Sequence, residues 1–226
     1  MRLFGEDVGT LALEHVVLAV LPVLIGLVIS LLLGWWAWRV RGVRRVLVPL
    51  TGVLYTIPSL ALFVVMPLIL GTRILDPVNV VAALVLYAVA LLVRSVVDGL
   101  DAVPDEVVTA AVAMGYRPAG LFLGVQLPLA VPVLIGGLRV ATVSSFSLVA
   151  VGAIIGQGAL GALFTDGFQR SYTAQIVFGL VAIVVLALVF DALWVLIGRL
   201  VAPWAAASRT RGAGAAPVPE DAGVGA

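Results

Sequence analysis

The sequence predicts an all-α, polytopic membrane protein with about five transmembrane helices. Of its 226 residues, 63% are hydrophobic and only 11% are charged, and the mean hydropathy is +1.24. A soluble domain of this length would need more charge to cover its core. The second observation is a series of charge-free runs, each close to the roughly 20 apolar residues that a helix needs to cross the hydrocarbon layer.

Five apolar runs give the predicted spans in chain order. They cover residues 16–38, 46–72, 78–93, about 132–156, and 174–200. Arg94 lengthens the short third run if its guanidinium reaches the headgroups. The stretch 121–165 leaves two short spans open as an alternative, but no turn signal interrupts it near Arg139. We therefore expect one span there, with Arg139 near its cytoplasmic end.

The first run is predicted to be a permanent helix and not a cleaved signal peptide. The chain begins with acidic residues, Glu6, Asp7 and Glu14, whereas a signal peptide has a basic start. Its apolar run ends in Trp35 and two further tryptophans, which are typical of the membrane–water interface.

Arginine placement predicts the orientation of the chain. There is no lysine, and ten of the thirteen arginines fall on one side of the predicted topology. Basic residues are enriched in cytoplasmic loops, so this side is assigned to the cytoplasm, with the N-terminus outside and the C-terminus inside. A transmembrane domain, 1–204, is then followed by an Ala-, Gly- and Pro-rich tail, 205–226, which we expect to be disordered in the cytoplasm.

The composition excludes several kinds of function. The absence of cysteine excludes disulfides, zinc–thiolate sites and thiol nucleophiles. A standard P-loop contains a lysine, so this chain has none. The net charge of +1 argues against a nucleic-acid partner. We predict no catalytic residue, no metal site and no cofactor, and therefore an energy source on another polypeptide.

Two titratable residues lie close to the lipid in this topology. His15 falls at the outer membrane edge, where we expect an interfacial side chain with no part in proton transfer. Asp191 is the acid within a predicted span. An ion site stays open for Asp191, but the favoured interpretation is a structural pair with a neighbouring arginine, because buried charges usually have partners.

The loop at about 98–128 carries the clearest local pattern. Pro104 and Asp105 favour a helix start, Gly115 favours its C-terminal cap, and Pro118 follows where helices stop. The alanines between them leave a smooth surface that another protein can approach closely. The alternative is a plain amphipathic helix lying on the membrane.

The spacing within this loop resembles the EAA signature of ABC importer permeases. Ala110 and Ala111 are followed by Gly115, and nine residues later by VQLP at 125–128. Thr109 stands where that family has glutamate, and Glu106 lies nearly one turn earlier on the same face. The resemblance implies a type I importer permease fold. It also implies coupling to an ATPase through Thr109, Ala110, Ala111, Gly115, Tyr116, Arg117, Leu127 and Pro128.

Further segments are similar to one branch of that family, the osmoprotectant permeases. They are YTIPSLAL at 55–62, the stretch from LY at 86–87 through Arg94 with GL at 99–100, GLRVAT at 137–142 and GQGALG at 156–161. The resemblance implies import of glycine betaine, carnitine or choline across the bacterial inner membrane. It also implies a pair of ATP-binding subunits, a second permease that is identical or paralogous, and an extracytoplasmic substrate-binding protein.

Two predicted spans supply candidates for a translocation pathway. In the second, Pro58 predicts a kink at mid-span. In the fourth, Gly137, Ala141 and Ser145 recur every four residues, which favours close helix packing, with lumen lining as the alternative. Gly26, Ser30 and Gly34 of the first span form a similar stripe, for which packing is expected. The pathway candidates are Tyr55, Pro58, Ser59, Phe63, Thr142, Ser144 and Ser145.

Three other functions stay open at this point. One is an ABC permease for a different small polar solute, such as an amino acid. A secondary transporter would carry an intramembrane charge relay or inverted repeats, neither of which is clear in the sequence. A membrane scaffold with no transport function would not explain the signature loop.

Overall fold

The computed structural model describes residues 2–3 and 6–204, so the predicted tail lies outside the described residues. The chain opens with two paired antiparallel strands, β1 (Arg2–Leu3) and β2 (Glu6–Asp7). The helices are α1 (Val8–Arg39), α2 (Arg41–Thr56), α3 (Ser59–Leu70), α4 (Pro77–Asp101), α5 (Asp105–Ala113), α6 (Pro118–Leu121), α7 (Leu127–Val151), α8 (Ala162–Gln169) and α9 (Thr173–Val201). A π-helical turn, Phe122–Gln126, joins α6 to α7, and 3-10 turns cover Gly152–Ile155 and Ala159–Gly161.

Within the described residues, four helical stretches are long and apolar enough to cross a membrane. They are Val8–Arg39, Pro77–Asp101, Pro118–Ile155 and Thr173–Val201, and the bent pair of α2 and α3 makes a fifth if it is one broken span. The predicted all-α, five-span architecture is confirmed in this form. The single span predicted within 121–165 is also confirmed, but its helical turns begin as early as Pro118.

The second span is broken where a kink was expected. The axes of α2 and α3 differ by 107° across a short break at Ile57 and Pro58. Ile57 is extended (φ −65°, ψ 130°), because a residue before proline is disfavoured in the helical region. Pro49 and Pro67 remain inside their helices. Pro58 therefore begins a new helix and does not merely bend an old one.

The centre of the bundle is α4, which packs against α1, α2, α3 and α7. Its closest neighbour is α1, where the small-residue stripe lies. A Cβ atom added at Gly26 would sit 2.5 Å from the Cβ of Ala88, and one at Gly34 would sit 2.6 Å from the Cβ of Val96. Ser30 between them is fully buried. The packing interpretation of this stripe is therefore confirmed.

We expect Gly26→Val to lower the thermal stability of the purified protein. The new side chain would force α1 away from α4, and overpacking of this kind costs about 1–3 kcal/mol. The matched control is Gly52→Val in α2, where nothing lies within 4 Å of an added Cβ. Thermal unfolding in detergent measures both. Equal midpoints for the two variants would contradict the packing role.

Two buried polar contacts tie α1 to α7. The prediction that His15 is an interfacial side chain is wrong, because it is fully buried and its Nε2 lies 3.0 Å from the carbonyl oxygen of Phe146. The imidazole also stacks on the Phe146 ring at 5.7 Å. Nearby, the Ser145 hydroxyl donates to the carbonyl oxygen of Ala19 at 2.8 Å. These bonds fix α1 against α7 in an otherwise apolar core.

Arg139 and Asp191 form an ion pair between α7 and α9. Arg139 Nε lies 2.7 Å from Asp191 Oδ1, and Nη2 lies 2.8 Å from Oδ2. The arginine partner predicted for Asp191 is therefore confirmed. Arg139 lies midway between the ends of α7, within a helical stretch of 38 residues, Pro118–Ile155. Its predicted place near the cytoplasmic end of the span, and the predicted orientation of the chain, stay predictions.

Candidate functional site

Helix α5 has the boundaries that its sequence predicts. It starts after Pro104, and Asp105 and Glu106 lie in its first turn, near the positive end of the helix dipole. At its C-terminus, Gly115 adopts a left-handed conformation with φ +87°. The Gly115 N–H donates to the carbonyl oxygen of Val112 at 2.9 Å, and the Tyr116 N–H donates to the carbonyl oxygen of Ala111 at 3.2 Å. This is a Schellman cap, which requires the positive φ at Gly115.

Most of α5 faces away from the rest of the chain. Ala111 is the buried residue of this helix, at 2% exposed. Thr109, Ala110 and Arg117 are exposed, and so are the apolar side chains of Val112, Met114 and Tyr116. Met114 is 73% exposed. A small helix between two spans that presents exposed apolar side chains is typical of a surface that binds another protein.

The base of this loop is anchored in the bundle. The Tyr116 ring lies over Gly120 and Gly124, where an added Cβ would meet it at 3.8 and 3.5 Å. The ring of Phe122 packs 5.7 Å from Trp35 of α1. Because α5 and its neighbouring turns contact each other, we infer that displacement of α5 would be felt by the spans.

Leu127 and Pro128 belong to this anchor and not to the exposed surface. Both are half-buried, and Leu127 packs against the cluster around Val96 and Ala130. Pro128 has no N–H to continue an α-helical ladder, and the wider π-helical turn precedes it. The eight predicted coupling residues therefore divide into three groups. Thr109, Ala110, Gly115, Tyr116 and Arg117 are exposed on α5 and the turn after it, Ala111 is buried, and Leu127 and Pro128 form a supporting pair at the start of α7.

A charged contact beside the loop was missed by sequence reasoning. Arg44 of α2 bonds to Asp101 of α4 through two hydrogen bonds, of 3.0 and 2.6 Å. The partners are 57 residues apart, so no local pattern could have paired them. This contact joins the start of the broken span to the last residue of α4, just before α5 begins.

Some of the pathway candidates come together and others do not. Tyr55, Ser144 and Ser145 line one small pocket between α2, α4 and α7. Phe63, at 1% exposed, lies in the core, and Thr142 is buried where it accepts a hydrogen bond of 2.8 Å from Trp194 Nε1. Pro58 and Ser59 lie at the break itself. The role of all these residues in a pathway stays a prediction.

Tyr87 completes the same pocket and was not among the candidates. Its ring lies edge-on to Tyr55, with centroids 5.9 Å apart and planes at 87°. Its hydroxyl donates to the carbonyl oxygen of Ile57, at the break in the second span. Within an apolar run, a lone tyrosine looks like any other core aromatic. The available signal was the break at Pro58, which leaves carbonyl groups in need of a donor.

Among the described residues, no three acidic or histidine side chains lie together as a metal site would need. The arrangement that remains is a bundle of membrane-spanning helices, one of them broken, with an exposed helix between two spans. This defines a polytopic membrane protein. The chain belongs to the family of inner membrane components of binding-protein-dependent transport systems, which matches residues 20–206.

Individual relatives agree with the family. The ergothioneine transport permease/ergothioneine binding protein EgtU of Helicobacter pylori (strain G27) is 35% identical over 73% of this chain, which spans only 29% of that longer protein. The osmoprotectant import permease protein OsmW of Salmonella typhimurium (strain LT2) is 32% identical, covering 83% of this chain and 87% of OsmW.

Among solved structures, the inward-facing MetNI methionine ABC transporter has a chain of the same fold. The TM-score is 0.75 at 23% identity, covering 84% of this chain and 94% of that one. The chain is thus a multi-pass membrane protein and a permease subunit of an ABC importer. Permeases of this family work with ATPase and substrate-binding partners in general.

Proposed function

We propose that this permease imports a small solute that carries a quaternary ammonium group, such as glycine betaine, carnitine or choline. The observation that carries the proposal is the match to OsmW, an osmoprotectant import permease, along most of both chains. The EgtU relative points to the same chemistry, because ergothioneine and glycine betaine each carry a trimethylammonium group beside a carboxylate.

In this proposal α5 is the coupling helix and lies on the cytoplasmic side. Its exposed apolar residues dock into a groove on an ATP-binding subunit, and its Schellman cap holds the docking surface in shape. Two permeases, identical or paralogous, sit on two ATPases, and an extracytoplasmic protein delivers the solute. Closure of the ATPases on ATP displaces α5, and the spans move as rigid bodies to open the pathway outward.

The substrate assignment has a direct test. Glycine betaine, added with the cognate binding protein, is expected to raise ATP hydrolysis by the reconstituted complex several-fold over the binding protein alone. The loaded binding protein favours the ATP-closed state of the complex, which is the hydrolysing state. Phosphate release from proteoliposomes measures the effect.

The controls distinguish an error in the substrate class from an error in the permease function. Choline and carnitine test the breadth of the quaternary ammonium class, and an amino acid without methylated nitrogen tests the alternative class. Stimulation by the amino acid and none by any methylated solute would overturn the assignment and leave the permease function in place.

A further inference from the structure

The pocket that holds Tyr55 and Tyr87 lies against the middle of α4. Tyr87 comes ten residues after Pro77, the start of this helix of 25 residues. The other lining residues are Leu84, Ala88, Leu91, Ala141, Ser144, Ser145 and Leu148. No lining residue carries a charge, so the pocket is neutral and offers aromatic rings and hydroxyl groups.

A groove that carries charged side chains at one end lies beside this pocket. Leu91 also lines the neighbouring groove between α4 and α7, together with Arg94, Ser95 and Asp98. Arg94 and Asp98 form an exposed ion pair at 3.8 Å. Charged side chains on a helix face are costly against lipid and usually face protein or water. The charged end of this groove is therefore expected to face protein or water and not lipid.

The two rings are held differently. Tyr87 is almost fully buried, and its hydrogen bond to the Ile57 carbonyl fixes the ring in one orientation. Tyr55 stands perpendicular to it and is 43% exposed. A cation is attracted to the face of an aromatic ring, and Tyr55 has ring surface that Tyr87 does not cover. The break at Pro58 places Tyr55 at the end of α2, next to the segment where the span can change direction.

We propose that Tyr55 and Tyr87 form a transit site for the quaternary ammonium group of the solute, with the Ser144 hydroxyl available to its carboxylate end. This inference rests on the proposed function and names the residues that contact the solute. The pocket itself has a volume of about 10 Å³, room for one water molecule, so the cation meets the exposed face of Tyr55 and not the pocket interior. One accessible ring binds weakly, and weak binding suits a pathway because the solute must both enter and leave. The lining residues include no carboxylate, the charged oxygen ligand that metal ions usually take in proteins.

The test is a series of fluorinated phenylalanines at position 55 in the reconstituted complex with its ATPase and binding protein. Tyr55→Phe is the reference, and each added fluorine weakens the electrostatic attraction of the ring for a cation without changing its shape. Uptake of radiolabelled glycine betaine is expected to fall stepwise, by about three- to tenfold across the series. Because ring shape is kept, a merely structural role would not produce this stepwise trend.

The controls distinguish a failure of the transit site from a failure of the proposed function. Leu188→Ala, on the exposed face of α9, is expected to leave uptake unchanged. If uptake by the unmodified complex is normal and the fluorinated series is flat, the transit site is wrong and the proposed function stands. If the unmodified complex takes up no methylated solute at all, the proposed function fails and the transit site fails with it.

Discussion

Gly115→Val is expected to lower solute transport about tenfold or more while the permease still folds and binds its ATPase. Nothing lies within 4 Å of a Cβ atom added at Gly115, so the substitution creates no clash. Its effect comes from the backbone, because φ is +87° there and a residue with a Cβ atom is strained by about 1–2 kcal/mol in the left-handed region. Relief of that strain unwinds the cap and displaces Met114 and Tyr116 from the docking surface.

The measurement is the ratio of solute transported to ATP hydrolysed in proteoliposomes. ATP hydrolysis is expected to continue without matching uptake, since the ATPases still close but no longer move the spans. Gly115→Asn is the matched control, because asparagine tolerates positive φ better than valine and should retain an intermediate ratio. Full coupled transport by the valine variant would contradict the coupling role of this loop.

That prediction is available from the sequence because the cap is a local structure. Pro104 and Gly115 lie at the two ends of one short helix, and each acts through its own backbone preferences. The membrane spans were predictable for a related reason. Each is a continuous apolar run whose length is set by the bilayer and not by a distant partner.

The features that escaped prediction all depend on distant partners. Burial of His15 follows from Phe146, which is 131 residues away in the chain. The partner of Asp191 is Arg139, 52 residues away in the chain. Hydropathy alone contains no information about which arginine on another helix would form this pair. The hydrogen bond from the Tyr87 hydroxyl to the Ile57 carbonyl, at the break by Pro58, likewise joins residues 30 apart in the chain.

The residues of the candidate functional site show the same contrast between local patterns, which are predictable, and contacts with distant partners, which are not. The exposed residues of α5 were predictable because they form one contiguous segment with a family pattern. The transit pocket was predictable only in part, because its residues come from three helices. Tyr55 was a candidate because it lies close to Pro58, and Ser144 because it is a hydroxyl in a stretch of small residues, whereas the role of Tyr87 is recognisable only once its neighbours are known.

Asp191→Asn is expected to remove most of the folded protein from the membrane fraction. The substitution keeps the shape of the side chain but leaves the Arg139 guanidinium without a carboxylate at the middle of α7. An unpaired charge within a span is costly, and breaking an ion pair harms a structure more than replacing both partners does. Yield of monodisperse protein and its thermal midpoint in detergent measure the loss.

The double variant Arg139→Leu with Asp191→Leu distinguishes a structural role of the ion pair from a role in transport. If the pair is structural, two apolar side chains restore yield, and the restored protein transports solute, because neither charge is then needed. If the double variant folds but does not transport, the pair takes part in transport and the ion-site interpretation of Asp191 replaces the structural one. A single Asp191→Asn variant with unchanged yield would contradict the structural role directly, since that role requires the arginine to have its partner.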